Sequence, residues 1–402
     1  MNTFPTSIRT PTPGPTDRLL AGGRVVTPDT VLDPGWIRLA GDVIDAVGSG
    51  PAPGQPAVDL RGQWVLPGFI DIHVHGGGGA SFTEGTDDQA RQAAAFHRGQ
   101  GSTTMLASLV TAPLAELEAG AGMLAGLADD GVIAGLHLEG PFLSPARRGA
   151  QDPRHMIAPD VAVFERLHAA ARGHLRVITL APELPGALAV IKAAAQGGVR
   201  VAVGHTDATA EVTMAAIDAG ATHATHLFNG MRPLHHREPG AVGALLDRHE
   251  VTCEVIADGV HLDDITVRLA TRAAGPDRLV LVSDGMAAAG MPDGRYQLGS
   301  QRVTVAGGVA RLLEDPAAIA GSTATLADVV RHAIAAGLPV PAAAAAASTT
   351  PARVLGLAGR TGALSPGLAA DLVVCDDDFR PRAVMRRGEW LTQPVSRPPE
   401  HR

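Results

Sequence analysis

The stretch PGFIDIHVHGGGG, residues 67–79, places two histidines, His73 and His75, at the end of an apolar run. Side chains two positions apart on a β-strand point to the same face of it. Both imidazoles can therefore point into one cavity, and the glycines that follow allow the backbone to turn away without covering it. This pattern is typical of a strand that presents a metal ion.

Apolar, β-branched runs that end in polar residues recur along the middle of the chain, with helical patterns between most of them. This alternation predicts an α/β fold in which parallel strands are joined by helices, and eight such units close into a (β/α)8 TIM-like barrel. The eight predicted strands are residues 65–75, 102–109, 132–139, 175–183, 199–205, 222–228, 251–258 and 279–284.

The two ends of the chain instead show short strands separated by turns. We expect residues 18–66 and 366–395 to join into one small β-sandwich domain, and residues 67–365 to form the barrel. Residues 286–320 predict a hairpin inserted after the eighth strand and followed by closing helices. Residues 1–17, which are rich in threonine and proline, predict a disordered lead-in and not a signal peptide, because they lack an apolar core.

Composition narrows the class of protein further. A chain of 402 residues suits a barrel with an accessory domain. A net charge of −8 argues against nucleic acid as the main partner, and no stretch of about 18 strongly apolar residues predicts a membrane span. The only cysteines, Cys253 and Cys375, are far apart and suit buried thiols in a reducing compartment, so we expect a cytoplasmic protein.

Barrel enzymes build their sites at the C-terminal ends of the strands. Side chains able to bind metal stand at five of the predicted ends, namely His73 and His75 on the first strand, Glu139 on the third, His205 on the fifth, His226 on the sixth and Asp284 on the eighth. Each alone has a structural alternative, such as a turn cap for Glu139 or an ordinary turn aspartate for Asp284. Their convergence on one barrel mouth indicates a metal site, with Asp284 as the general base.

Seven motifs carry a resemblance to the N-acetylglucosamine-6-phosphate deacetylase family of the amidohydrolase superfamily. They are PGFIDIHVHG, GLHLEGPFLSPARRGA, GHTDA, THLFNGMRPLHHREPG, ADGVHLD, LVSDGMAAAGMPDG and IAGSTATL, and the similar region runs from about residue 22 to residue 372. The resemblance implies a (β/α)8 barrel with a β-sandwich, usually as a homodimer. It also implies hydrolysis of the acetamide of an amino-sugar phosphate to the amine and acetate.

The resemblance carries site residues onto this chain. Glu139, His205 and His226 match the principal metal ligands, and His73 and His75 match a second metal position that only some members possess. One or two divalent ions are therefore expected, with Glu139 shared; Zn²⁺ is the expected metal, and Fe²⁺, Co²⁺ and Mn²⁺ remain alternatives. The matched substrate contacts are Ala150, Gln151, Asn229, Gly230, Arg237, His261, Ile319, Ala320 and Gly321.

One matched position departs from the family. Gln151 stands where the family commonly has a histidine that helps to polarise the scissile carbonyl. A glutamine amide can donate a hydrogen bond but cannot carry charge. Carbonyl polarisation would then depend more heavily on the metal.

The implied mechanism uses the residue types in complementary roles. A divalent ion lowers the pKa of its bound water from 15.7 to about 7, so metal-bound hydroxide would attack the acetamide. Asp284 would take the proton and deliver it to the departing amine. Arg237 and His261 would bind the phosphate.

The chain contains a single lysine, Lys192, within a helical pattern far from any strand end. This position excludes the members of the superfamily that bridge two metals with a carboxylated lysine.

Two alternatives to a deacetylase of N-acetylglucosamine 6-phosphate stay open. One is a deacetylase of N-acetylgalactosamine 6-phosphate, and the other is a non-catalytic binding protein on the same barrel.

Overall fold

A computed structural model gives the fold and describes residues 18–84 and 86–394. The predicted lead-in, residues 1–17, and residue 395 lie outside the described residues. The described chain divides into two compact units. The terminal unit contains residues 18–70, 98–103 and 326–394, and the central unit contains residues 71–84, 86–97 and 104–325.

The secondary structure follows in chain order. The strands are β1 (Arg18–Val26), β2 (Val31–Ala40), β3 (Val43–Ser49), β4 (Val58–Asp59), β5 (Trp64–Pro67), β6 (Phe69–Asp71), β7 (Gly76–Gly77), β8 (Ala80–Ser81), β9 (Ser102–Met105), β10 (Ala107–Leu109), β11 (Leu136–Glu139), β12 (Leu175–Leu180), β13 (Arg200–Val203), β14 (Ala221–Ala224), β15 (Thr252–Val255), β16 (Leu279–Leu281), β17 (Gly294–Leu298), β18 (Gln301–Ala306), β19 (Val309–Leu312), β20 (Leu372–Cys375), β21 (Pro381–Arg386) and β22 (Glu389–Thr392). The helices are α1 (Asp87–Gly99), α2 (Leu114–Asp129), α3 (Val161–Ala170), α4 (Ala187–Gln196), α5 (Ala210–Asp218), α6 (Gly240–Asp247), α7 (Asp264–Ala274), α8 (Leu326–Ala335), α9 (Val340–Ala347) and α10 (Thr349–Val354).

The terminal unit is built on one sheet with the order β22-β21-β20-β5-β1-β2-β3, and β4 pairs with β1. The sheet curls on itself, because Val43 at the start of β3 bridges to Ala369 just before β20. Inside the curl lies an apolar core that includes Leu20, Ile37 and Ile44. Burying each such side chain contributes about 1.5–3 kcal/mol. The two ends of the chain thus build one β domain, as the sequence predicted.

Helices α8–α10 group with the terminal unit, whereas the predicted domain boundary at residue 365 assigned them to the barrel. The alanine run of α9 packs as a small-residue helix, with Ala343, Ala344, Ala346 and Ala347 buried.

The central unit contains the barrel. Strands β10–β16 form a parallel sheet in sequential order, with helices between them. The chain around Val74 closes the ring on both sides: the Ser108 N–H donates to the Val74 carbonyl at 2.9 Å, and Val74 bridges in parallel to Gly285 after β16. The predicted (β/α)8 barrel is therefore confirmed, and the ends of its strands gather the polar residues in one place.

The first predicted strand, residues 65–75, is divided in the structure. Strand β5 ends at Pro67 and belongs to the terminal sheet, and β6 begins at Phe69. Gly68 makes the break possible, because a Cβ there would lie 2.4 Å from the Thr103 Oγ1 atom. A continuous apolar run therefore serves two different sheets.

The predicted hairpin in residues 286–320 is a three-stranded antiparallel sheet, β17-β18-β19. The extra strand follows from a second tight turn at Gly307 and Gly308, which have φ values of 59° and 75°. Two consecutive positive φ angles are what a type I′ hairpin turn requires. Within the described chain, no helix combines the length and apolar character needed to cross a membrane.

Candidate metal centre

The polar strand ends converge around Glu139 at the end of β11. The Glu139 Oε1 atom lies 2.9 Å from the Nε2 atoms of both His205 and His226. The Glu139 Oε2 atom lies 3.3 Å from the His75 Nε2 atom. Two sets of side chains can therefore each hold an ion: the first ligand group is Glu139, His205 and His226, and the second ligand group is His73, His75 and Glu139. Glu139 belongs to both.

The outer nitrogen of each ring in the second ligand group faces an acceptor. The His73 Nδ1 atom lies 3.0 Å from the Glu254 Oε2 atom, and the His75 Nδ1 atom lies 3.2 Å from the Ser108 carbonyl oxygen. Donation from Nδ1 fixes the tautomer, so both Nε2 lone pairs point toward the cavity. These Nε2 atoms are 3.1 Å apart. Two facing lone pairs repel, and a shared cation removes the repulsion, so this donor set fits a divalent ion.

In the first ligand group His205 shows the same arrangement, whereas the His226 Nδ1 atom is buried and has no hydrogen-bond partner among the described residues. The His205 Nδ1 atom donates to the Arg147 carbonyl at 2.9 Å, and the His205 and His226 Nε2 atoms face each other at 3.2 Å. Gly230 is needed beside His205, since it has a φ of 60° and a Cβ there would lie 2.9 Å from His205 Nδ1. Imidazole nitrogens with carboxylate oxygens are a donor set that suits Zn²⁺ and related transition metals.

Three of the converging residues have left-handed backbone conformations, with φ values of 46° at His205, 28° at His226 and 48° at Asp284. Non-glycine residues adopt this region rarely, and it costs of order 1–3 kcal/mol for each residue. Each residue follows the end of a barrel strand, where the backbone leaves the strand direction. The left-handed backbone gives these three side chains directions that strand alternation does not provide.

Asp284 lies beside the second ligand group. Its Oδ1 atom is 3.2 Å from the His75 Nε2 atom and 3.4 Å from the His73 Nε2 atom. Burial would raise the pKa of the Asp284 carboxyl, but His73 and His75 outweigh burial and hold it below its usual range. Asp284 is therefore an anion at neutral pH, as a general base must be.

Protons and a metal ion compete for the same ligand atoms. Burial disfavours the charged form of His75, yet Asp284 and Glu139 raise its pKa to about 9. Burial likewise disfavours a charged Glu139, but His73 and His205 keep the pKa of its carboxyl well below the usual range. Because bound metal must displace the histidine protons, metal affinity should rise with pH.

Gln151 is held in one orientation. Its Oε1 atom accepts from the Thr111 N–H at 2.8 Å, so its amide nitrogen donates to the Glu139 Oε2 atom at 2.5 Å. The residue that departs from the family pattern thus contacts the carboxylate that both ligand groups share. Its amide contributes a donor and no charge.

Most of the predicted substrate contacts line one cavity of about 230 Å³. Those that do so are Ala150, Gln151, Asn229, Gly230, His261, Ile319 and Gly321, together with His75, Glu139, His205, His226 and Asp284. Ala320 is buried and does not line it, and Arg237 lies on the exposed loop of residues 232–238, with its guanidinium facing the His236 Nε2 atom at 2.7 Å. The structure therefore gathers the predicted contacts except for these two.

Sequence reasoning missed several residues that support the site. Glu254 contacts His73, and Asp258 accepts from the His261 Nδ1 atom at 2.8 Å. His223 also belongs to this support, because its Nε2 atom lies 2.9 Å from the Glu254 Oε1 atom. One signal was present in the sequence: a glutamate in the middle of an apolar strand, VTCEVIAD, must have a buried partner.

The sequence pattern of the amidohydrolase family matches residues 64–391. The chain therefore belongs to the amidohydrolase family, which confirms the superfamily that its motifs indicated.

Individual relatives of the chain are amino-sugar phosphate deacetylases. N-acetylgalactosamine-6-phosphate deacetylase of Escherichia coli O157:H7 is 37% identical over 376 residues, covering 92% of this chain and 98% of that protein. The human N-acetylglucosamine-6-phosphate deacetylase is 36% identical over 397 residues, covering 94% of each chain. Among solved structures, a mutant N-acetyl-D-glucosamine-6-phosphate deacetylase from Mycobacterium smegmatis in complex with N-acetyl-D-glucosamine-6-phosphate is 47% identical. It superposes with a TM-score of 0.92 and covers 94% of this chain and 100% of that one.

Proposed function

We propose that this protein hydrolyses the acetamide of N-acetylglucosamine 6-phosphate to glucosamine 6-phosphate and acetate. The observation that carries the proposal is the junction at Glu139, where two ligand groups share one carboxylate and Asp284 lies beside them. A solved relative that binds this substrate is 47% identical over nearly the whole chain. The cavity in front of the junction is the place for the sugar.

The ligand groups are proposed to hold one or two divalent ions, with Zn²⁺ as the metal. Such an ion, when bound, supplies an activated water and polarises the carbonyl. Asp284 then takes the proton from the attacking water and returns it to the amine nitrogen as the C–N bond breaks. Its position 3.2 Å from the His75 Nε2 atom places it at the edge of the ligand cluster, where the water and the amide must meet.

Gln151 is proposed to donate a hydrogen bond to the carbonyl oxygen of the substrate acetamide. Gln151 is held in place by Thr111 and Glu139, and it lines the cavity.

His261, held by Asp258, lines the same cavity and offers its Nε2 atom to the sugar phosphate. Burial works against a charged His261, but Asp258 outweighs burial and raises its pKa, so a cationic donor is available to an anion.

The direct test measures acetate release from N-acetylglucosamine 6-phosphate, N-acetylgalactosamine 6-phosphate and both unphosphorylated sugars, with bound metal counted on the same sample. We expect the highest kcat/KM with N-acetylglucosamine 6-phosphate, and loss of turnover after chelation with recovery on adding Zn²⁺. A higher kcat/KM for the galactosamine epimer would establish the alternative substrate instead. A metal-loaded protein that releases no acetate from any of the four sugars would be a binding protein.

Arg237→Ala is expected to raise KM for the phosphorylated substrate about 10- to 100-fold, since a lost hydrogen bond to a charged group costs roughly 1.5–3 kcal/mol. Turnover of the unphosphorylated sugar should change little. Steady-state kinetics on the two sugars measures this split, with Arg295→Ala on β17 as the matched exposed-arginine control. An unchanged preference for phosphate would place the anion elsewhere.

Because Arg237 lies outside the cavity lining, its proposed contact requires either movement of its loop or a second subunit. We propose a homodimer, supported by exposed apolar residues one turn apart on α7: Ile265 is 69% exposed and Leu269 is 55% exposed.

We also propose that the protein resides in the cytoplasm. The two free, buried cysteines, Cys253 and Cys375, support this proposal.

A further inference from the structure

Glu254 is a buried carboxylate that the proposed chemistry does not use. It lies on β15 and is 0% exposed, so its charge requires close partners. Among the residues that the structure describes, its carboxylate has three: the His73 Nδ1 atom at 3.0 Å, the His223 Nε2 atom at 2.9 Å and the backbone N–H of His226, which donates to the Glu254 Oε2 atom at 3.0 Å. Of these residues, His226 also lines the cavity, whereas Glu254, His73 and His223 do not.

The contact with His73 decides which nitrogen of that ring faces the cavity. With Nδ1 donating to Glu254, the Nε2 atom is left 3.1 Å from the His75 Nε2 atom and 3.4 Å from the Asp284 Oδ1 atom. Among the described residues, Glu254 is the acceptor that faces the Nδ1 atom of His73: the Asp284 and Glu139 carboxylates face its Nε2 atom, and the contacts with His137 and His226 involve ring faces and edges. Glu254 is the acceptor that orients the ring.

The same carboxylate has a second anchor that fixes its own position. His223 lies between Glu254 and the Thr252 Oγ1 atom, which is 2.6 Å from the His223 Nδ1 atom. His223 and Glu254 are on neighbouring parallel strands, β14 and β15. The carboxylate is therefore held from one side by His223 and presents its other oxygen to His73.

We propose that Glu254 is a positioning residue for the second ligand group: it holds His73 with Nε2 toward the cavity, and occupancy of the second metal position depends on it. This inference rests on the proposed two-ion centre and deepens it. The first ligand group depends less on Glu254, since Glu139 and His205 do not contact it and His226 does so only through its backbone N–H.

Zn²⁺ binding to the full-length protein tests the inference without reference to turnover. Equilibrium dialysis against buffered Zn²⁺ gives the dissociation constant of each ion, and a His73→Gln variant shows which step belongs to the second ligand group. In Glu254→Gln we expect that step to weaken about 10- to 100-fold while the other step stays within a few-fold of wild type. Adding Glu254→Gln to His73→Gln should cause no further change in the remaining ion, because Glu254 acts through His73.

Two variants separate positioning from a merely structural role. Glu254→Asp keeps the charge but shortens the side chain, so it should also weaken the second ion; it decides the question if circular dichroism shows that Glu254→Gln does not fold. Asp258→Asn is the matched control, because it removes another buried carboxylate that pairs with a histidine but does not contact the ligand groups. It should bind both ions as wild type does.

Three results would overturn the inference: unchanged binding of both ions in the Glu254 variants, equal weakening of both ions, or a wild-type protein that binds one Zn²⁺ at saturation. Failure of the proposed function looks different. A wild-type protein that binds two ions but releases no acetate from any of the four sugars would refute the deacetylase, and the ion-binding pattern would still decide the role of Glu254.

Discussion

Asp284→Asn should lower kcat for acetate release by about 10²- to 10⁴-fold while the ion of the first ligand group stays bound, since this is the range that positioned acid–base catalysis contributes. Asparagine has the same shape as aspartate and tolerates the left-handed φ of 48° at this position. It cannot accept the proton of the attacking water. The change therefore removes the proposed proton carrier and leaves the fold in place.

Steady-state kinetics with metal counting on the same samples checks this prediction. Asp293→Asn is the matched control, because Asp293 accepts the backbone N–H groups of Gly307 and Gly308 at the turn of the inserted sheet, away from the ligand groups. Its kcat should stay near the wild-type value. A fully active Asp284→Asn protein would show that another group carries the proton.

Glu139→Gln should remove metal from both ligand groups and take turnover with it. One oxygen of Glu139 lies 2.9 Å from the Nε2 atoms of His205 and His226, and the other lies 3.3 Å from that of His75. A neutral amide offers one acceptor oxygen in place of two and no charge. The loss of metal affinity should exceed the roughly 10- to 100-fold that loss of an outer hydrogen-bond partner costs.

Metal content after dialysis against buffered Zn²⁺, followed by acetate release with added Zn²⁺, measures both effects. Glu183→Gln is the control, because Glu183 accepts from Thr206 and Asp207 beside His205 without reaching the ligand atoms. It should retain metal. If Glu139→Gln kept both ions, the two groups would not share this residue.

The barrel was predictable because parallel strands buried on both faces read as continuous apolar runs, and eight of them alternate with helical patterns. The division of residues 65–75 between two sheets was not predictable, because an apolar run has the same pattern whichever sheet buries it. The second turn of the inserted sheet depends on the conformation of Gly307 and Gly308, for which the sequence supplied a signal that the hairpin prediction left unused.

The convergence of the candidate ligand residues was predictable, because each is a side chain able to bind metal at a strand end. The contact between His223 and Glu254 was not, because strand alternation gives the face of a side chain and not its partner on the neighbouring strand. The direction of His226 was not either, because β14 ends at Ala224 and His226 beyond it has a positive φ. Where Arg237 meets the substrate stays a prediction, because its loop lies outside the cavity lining.

The left-handed backbone at His205, His226 and Asp284 has a consequence for laboratory evolution. Glycine would occupy these positions with less strain, and asparagine tolerates them better than most residues. A library screened for heat resistance alone should therefore accumulate replacements at these positions that fold well and are inactive. Thermostable descendants of this protein would have to be recovered by selecting for acetate release and heat resistance in the same round.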